Sequence, residues 1–127
     1  MMGESEYRLP FEKLHVWHLS RAFAGEIYGV TKGFPRAEHF GLAGQMNRAA
    51  VSVMSNIAEG SARTSCKDQA HFSQLAYSSL MEVACQLQLA ADLGFCHEGV
   101  NRNLRKQILE ISGKLNALRR SQLAKNC

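Results

Sequence analysis

No proline occurs in the 92 residues that follow Pro35, and apolar residues recur at 3-4 spacing through that whole tract. A proline inside a helix removes a backbone donor and collides with the preceding turn, so a long proline-free tract with this period points to all-α structure. The clearest segment runs from Gln45 to Arg63, QMNRAAVSVMSNIAEGSAR. Met46, Ala49, Val53 and Ile57 share one stripe, and Ala50, Met54 and Ala58 widen it to the breadth of a helix packed on more than one neighbour.

The same spacing predicts four helices. The first spans about Phe11 to Lys32, with Val16, Leu19, Phe23, Ile27 and Val30 on one face, and Gly33 stops it. The second runs from about Pro35 to Ala58, with an irregular first turn near Gly41, and Gly60 ends it. Thr64 or Ser65 caps the third, with Asp68 placed as in a capping box, and its stripe is Phe72, Ala76, Leu80, Val83, Leu87 and Ala90. It ends near Leu93-Gly94. The fourth begins around Glu98 and carries Val100, Leu104, Ile108, Ile111, Leu115 and Leu118. Short connections imply antiparallel neighbours, so the expectation is an antiparallel up-down-up-down four-helix bundle. The 127 residues suit one domain, 1–127, with about residues 1–9 and 122–127 loose. Trp17, Ala24, Tyr28, Leu75, Leu89 and Leu93 lie off the main stripes, and this surplus apolar surface predicts an oligomer.

Charge is unevenly distributed. From His97 onward seven basic residues (Arg102, Arg105, Lys106, Lys114, Arg119, Arg120, Lys125) stand against two acids, whereas the first 96 residues hold eight basic and nine acidic groups. A basic stripe on one helix is a candidate phosphate-binding face. A solvated face with cations drawn to the helix C-terminus accounts for the same charge. No apolar run approaches the ~20 residues that span a bilayer, so no membrane partner is expected. The N-terminus lacks a secretory pattern. Cys66, Cys85, Cys96 and Cys127 form no C-x-x-C pair, and reduced thiols in a cytoplasmic protein are the expectation.

The order F-x-x-L-x-V-W (Phe11, Leu14, Val16, Trp17), Ile27-Tyr28, Thr31, Phe34-Pro35, Glu38 and Phe40-Gly41-Leu42 resembles a bacterial four-helix-bundle family. Gln45, Arg48-Ala49, Ser52, Asn56-Ile57-Ala58-Glu59-Gly60 and Arg63 continue the pattern. The family comprises proteins encoded in intervening sequences of 23S ribosomal RNA genes and the accessory variability protein of diversity-generating retroelements. The resemblance implies a cytosolic bundle assembled as a ring-shaped homopentamer. It also implies a basic surface like that with which the retroelement relative binds its reverse transcriptase and nucleic acid. Most members have no assigned activity.

Glu59 sits in a final helical turn, where the dipole disfavours a carboxylate by ~0.3–1 kcal/mol. Asn56, Glu59 and Arg63 are therefore expected to tie the second helix to the third, with Arg63 folding back onto Glu59. A rival arrangement is a di-iron-like metal enzyme. Glu12-x-x-His15 and Asp68-x-x-His71 open two helices at the end where Glu59 lies, in the spacing that carboxylate-bridged bundles use. No nucleophile elbow, phosphate-cradling loop or Cys-His constellation competes with these readings, and the adjacency of Cys96 and His97 creates no catalytic geometry. The expectation is a non-enzymatic oligomeric scaffold with no catalytic residues and no cofactor. Its partners are further copies of itself and a nucleic acid or nucleic-acid-binding protein reached through helix four.

Overall fold

A computed structural model describes residues 7–125 and 127. Among them the order is a 3-10 turn Pro10–Lys13, α1 His15–Thr31, a 3-10 turn Arg36–Glu38, α2 Leu42–Ser61, α3 Cys66–Asp92 and α4 Glu98–Ala124, with no strand. The predicted stripes form the core with one exception, Val100, which is exposed, while Leu19, Val30, Phe72 and Leu118 are half-buried at its margin. Phe23, Ile27, Met46, Val53, Leu80, Val83, Leu87, Leu104, Ile111 and Leu115 are all nearly solvent-free. α2 shares its largest seam with α3, α3 its next with α4, and α1 packs chiefly on α2.

Local chemistry sets the helix ends. Pro10 locks the turn before α1, where the Glu12 carboxylate accepts from Leu9 N at 3.0 Å. α1 therefore starts four residues later than the periodicity predicts. Pro35 and the turn after it delay α2 to Leu42, whose amide the Glu38 side chain caps at 3.3 Å. Ser65 caps α3 by accepting from Asp68 N at 3.0 Å, as expected. Gly94, at φ +76°, supplies the left-handed residue that ends it.

Three expectations need correction. Gly60 does not end α2; it lies buried inside the helix, where an added Cβ would stand 2.9 Å from Cβ of Phe72. The glycine is kept for close approach. At the C-terminal end Gln122 is buried and accepts from Ser73 Oγ at 2.7 Å, whereas residues 123–125 and 127 are exposed and residue 126 lies outside the described residues. Cys66 and Cys127 are joined in a disulfide, with Cα atoms 5.6 Å apart, in place of the expected thiols. Of the N-terminal stretch 1–9, residues 1–6 lie outside the described residues; Leu9 is held by Glu12. Trp17 and Ala24, read as second-face residues, belong to the core, whereas Tyr28, Leu75, Leu89 and Leu93 are exposed.

Two measurements check this packing. Gly60→Ala is expected to destabilise by about 1–3 kcal/mol through overpacking against Phe72. Gly25→Ala, with nothing within 4 Å of its Cβ, is expected to stabilise by about 0.5–1 kcal/mol through helix propensity. Denaturant midpoints of the two variants should move in opposite directions. Reducing the disulfide, which closes a 61-residue separation, is expected to lower stability by about 2–4 kcal/mol. An unchanged midpoint with and without dithiothreitol would show that the tail does not constrain the fold.

Candidate nucleic-acid interface

Helix α4 has 27 residues and buries Leu104, Ile108, Ile111, Leu115 and Gln122 along one side. At about 100° per residue, Arg102, Lys106 and Arg120 fall together on the side away from this stripe, and Arg105 lies on the flank that meets Gln88 of α3. Arg119 sits at the edge of the stripe, half-buried, and Lys114 projects from the other flank. From Arg102 to Arg120 the row extends roughly 27 Å at the helical rise.

The row is electrostatically open. Arg102 lies 4.0 Å from Glu98, but both side chains are more than two-thirds exposed, so the pair contributes little. Arg105 donates to Gln88 Oε1 at 3.4 Å, an interaction with a neutral group. Among the described residues, Lys106, Lys114, Arg119, Arg120 and Lys125 have no carboxylate partner. Unpaired guanidinium and ammonium groups on a rigid helix offer a polyanion several contacts at little conformational cost.

The Asn56–Glu59–Arg63 corner is built differently from the expectation. Glu59 is exposed and, among the described residues, unpaired. Arg63 instead covers the Phe72 ring, its Cζ 4.5 Å from the centroid, while its carbonyl accepts from Gln69 Nε2 at 2.9 Å. Asn56 faces back along α2, its Nδ2 donating to Ser52 O at 2.9 Å and lying 3.0 Å from Ser52 Oγ. Ser52 Oγ is in turn 2.8 Å from Ser79 Oγ on α3. The polar tie between α2 and α3 is thus Ser52–Ser79 with Asn56 behind it.

The rival metal residues do not converge. Among the described residues, no three His, Cys, Asp or Glu side chains gather as a ligand set, so Glu12, His15, Glu59, Asp68 and His71 remain apart. Glu12 is spent on Leu9 N, and His71 rests edge-on against Phe72. Cys96 and His97 form no catalytic couple either. His97 Nδ1 accepts from Gly99 N at 3.2 Å as the cap of α4, and burial pushes the Cys96 thiol above its ordinary pKa, keeping it protonated.

Sequence reasoning missed the Ser52–Ser79 contact, the Thr31–Asn47 side-chain bond at 2.8 Å and Ser73–Gln122. Each residue reads as a solvated polar position in sequence, and the only available signal is a hydroxyl at a core-edge register. The exposed placement of Glu59 also changes its expected weight. Glu59→Ala should alter stability by less than about 0.5 kcal/mol, whereas Arg63→Ala, by uncovering Phe72, should cost more; paired denaturation curves would rank them.

A family model for 23S rRNA-intervening sequence proteins matches residues 12–117, which include all of α1 to α3 and most of α4. No curated protein matches the chain. With the match covering far more than half its length, the chain belongs to the 23S rRNA-intervening sequence protein family.

Proposed function

We propose that this chain is a non-enzymatic, self-associating helical scaffold that engages nucleic acid through α4. The observation that carries the reading is the row of cations on α4, most of them without an acidic partner among the described residues. A structural helix face in water ordinarily interleaves both signs. Here the final segment concentrates seven bases against two acids, which suits a polyanion whose charges repeat along a line. A nucleic-acid-binding protein with an acidic face would meet the same row by charge alone. A metal-dependent enzyme is the weaker alternative, since the required side chains stand apart.

The scaffold reading has its own support. We propose an up-down-up-down order for the helices, in keeping with connections of four residues between α2 and α3 and five between α3 and α4. Gln88 of α3 meets Arg105 while Ser73 meets Gln122, so register falls along α4 as it rises along α3. Phe34 of the α1–α2 connection and Phe95 of the α3–α4 connection pack at 5.5 Å, as two connections at one end of such a bundle would. Self-association rests on exposed apolar side chains, including Leu93 at 53% exposure and Leu89 at 48%. The family resemblance suggests a closed ring of five. We also propose a cytoplasmic location. No described helix is long and apolar enough to cross a membrane, and Cys85 is an exposed free thiol of the sort a reducing compartment tolerates. The Cys66–Cys127 disulfide is the observation that stands against that location.

Light scattering coupled to size exclusion, at about 50 and about 200 mM salt with and without a mixed nucleic-acid ligand, tests both halves. The expected result is a discrete oligomer that gains nucleic-acid mass at low salt and loses it at high salt. Charge reversal at Arg102, Lys106 and Arg120 should flatten the log–log salt slope by roughly 0.9 for each phosphate no longer neutralised. A monomer would sink the scaffold half. A salt-independent complex, or one indifferent to the charge reversals, would sink the α4 half.

A further inference from the structure

The connection between α1 and α2 exposes an aromatic ring where a chain would normally hide one. Phe40 is 94% exposed, more than any other large apolar side chain among the described residues. Phe34, six residues earlier in the same connection, is buried against Phe95. The turn Arg36–Glu38 separates the two rings, and the Glu38 cap on Leu42 N fixes the chain direction just past Phe40. The ring is further steadied by His39, edge-on at 4.8 Å.

Two open hollows adjoin at this ring, with volumes of about 510 and 450 Å³, and both are lined by His39 and Phe40. Lys32 and Arg36 border the first; Tyr28 and Arg48 border the second. Lys32, Arg36 and Arg48 have no ion-pair partner among the described residues. Glu38 is the one acid between Tyr28 and Arg48, and its carboxylate is committed to the α2 cap. The corner therefore joins exposed aromatic faces with unpaired cations on both sides. A purely apolar partner would leave three cations beside it without compensation, and a rigid duplex would leave the rings unused. A flexible strand satisfies both, with bases stacking on the rings and phosphates meeting the cations.

We propose that the α1–α2 corner is a single-stranded nucleic-acid site. Phe40 is its stacking platform, Tyr28 a second aromatic surface, and Lys32, Arg36 and Arg48 are its phosphate-binding cations. The site shares a ligand class with α4 and none of its residues. α4 contains no aromatic side chain, so it offers charge alone. The corner adds selectivity for unpaired bases.

Fluorescence anisotropy with a labelled oligothymidylate and a duplex of equal length tests the assignment on the full chain. Phe40→Ala is expected to weaken oligothymidylate binding about ten-fold and leave the duplex unchanged. Charge reversal of α4 should weaken both, so the two sites fail separately. A Phe40→Trp variant supplies a readout that charge alone does not move. Its added emission should be quenched by oligothymidylate and not by inorganic polyphosphate. Unchanged oligothymidylate affinity in Phe40→Ala would overturn the proposal, as would equal quenching by polyphosphate. So would a Phe40→Ala variant that changes oligomer mass but not affinity per subunit, which would assign the ring to contact with a second copy.

Discussion

Everything in this molecule depends on how closely α2 and α3 approach. Their buried positions are rich in small side chains: Ala43, Ala49, Ala50 and Gly60 on α2, and Ala70, Ser73, Ala76 and Ala90 on α3. Small residues let backbones come near, so dispersion attraction accumulates over a long seam. Gly60 marks the limit of that approach, because Phe72 fills the space its side chain would occupy. The Ser52–Ser79 contact and the Arg63–Phe72 stack then complete the seam on its polar side. α1 packs on α2 and α4 packs on α3, so the central pair positions both outer helices.

That arrangement separates stability from recognition. The core draws on one stripe of each helix, leaving the far side of α4 to carry charge without a structural obligation. The α1–α2 connection is similarly free, because Phe34 anchors it and Phe40 does not have to. Cations that form no internal pairs contribute little to folding and are available to a partner. The disulfide adds a different coupling. It ties the segment after the basic helix to the buried start of α3, so the chemical state of two thiols bears on how firmly the far end of α4 is held.

The parts of the fold that are legible in sequence are those governed by period. Met46, Val53 and Ile57, or Leu80, Val83 and Leu87, are spaced so that only a helix buries them together, and they are buried together. Ser65 is legible as a cap because an N-terminal hydroxyl three residues before Asp68 satisfies an otherwise orphaned amide. Glu59 escapes such reading for a definite reason. Helical position shows that its carboxylate is disfavoured, but the choice of partner for Arg63 depends on Phe72, which lies on another helix. Gly60 escapes it in the same way, since a glycine that ends a helix and one that admits a neighbour look alike in one dimension.

By itself the sequence determined the all-α class, the four helices and most of their core stripes, the charge of α4 and membership of the family, because each follows from local spacing or residue order. Tertiary structure alone decided which polar groups pair, that Cys66 meets Cys127, that Trp17 turns inward and that Phe40 turns out. Those outcomes depend on distances between residues far apart in the chain. Such distances are set by the joint packing of four helices, and no local pattern encodes them.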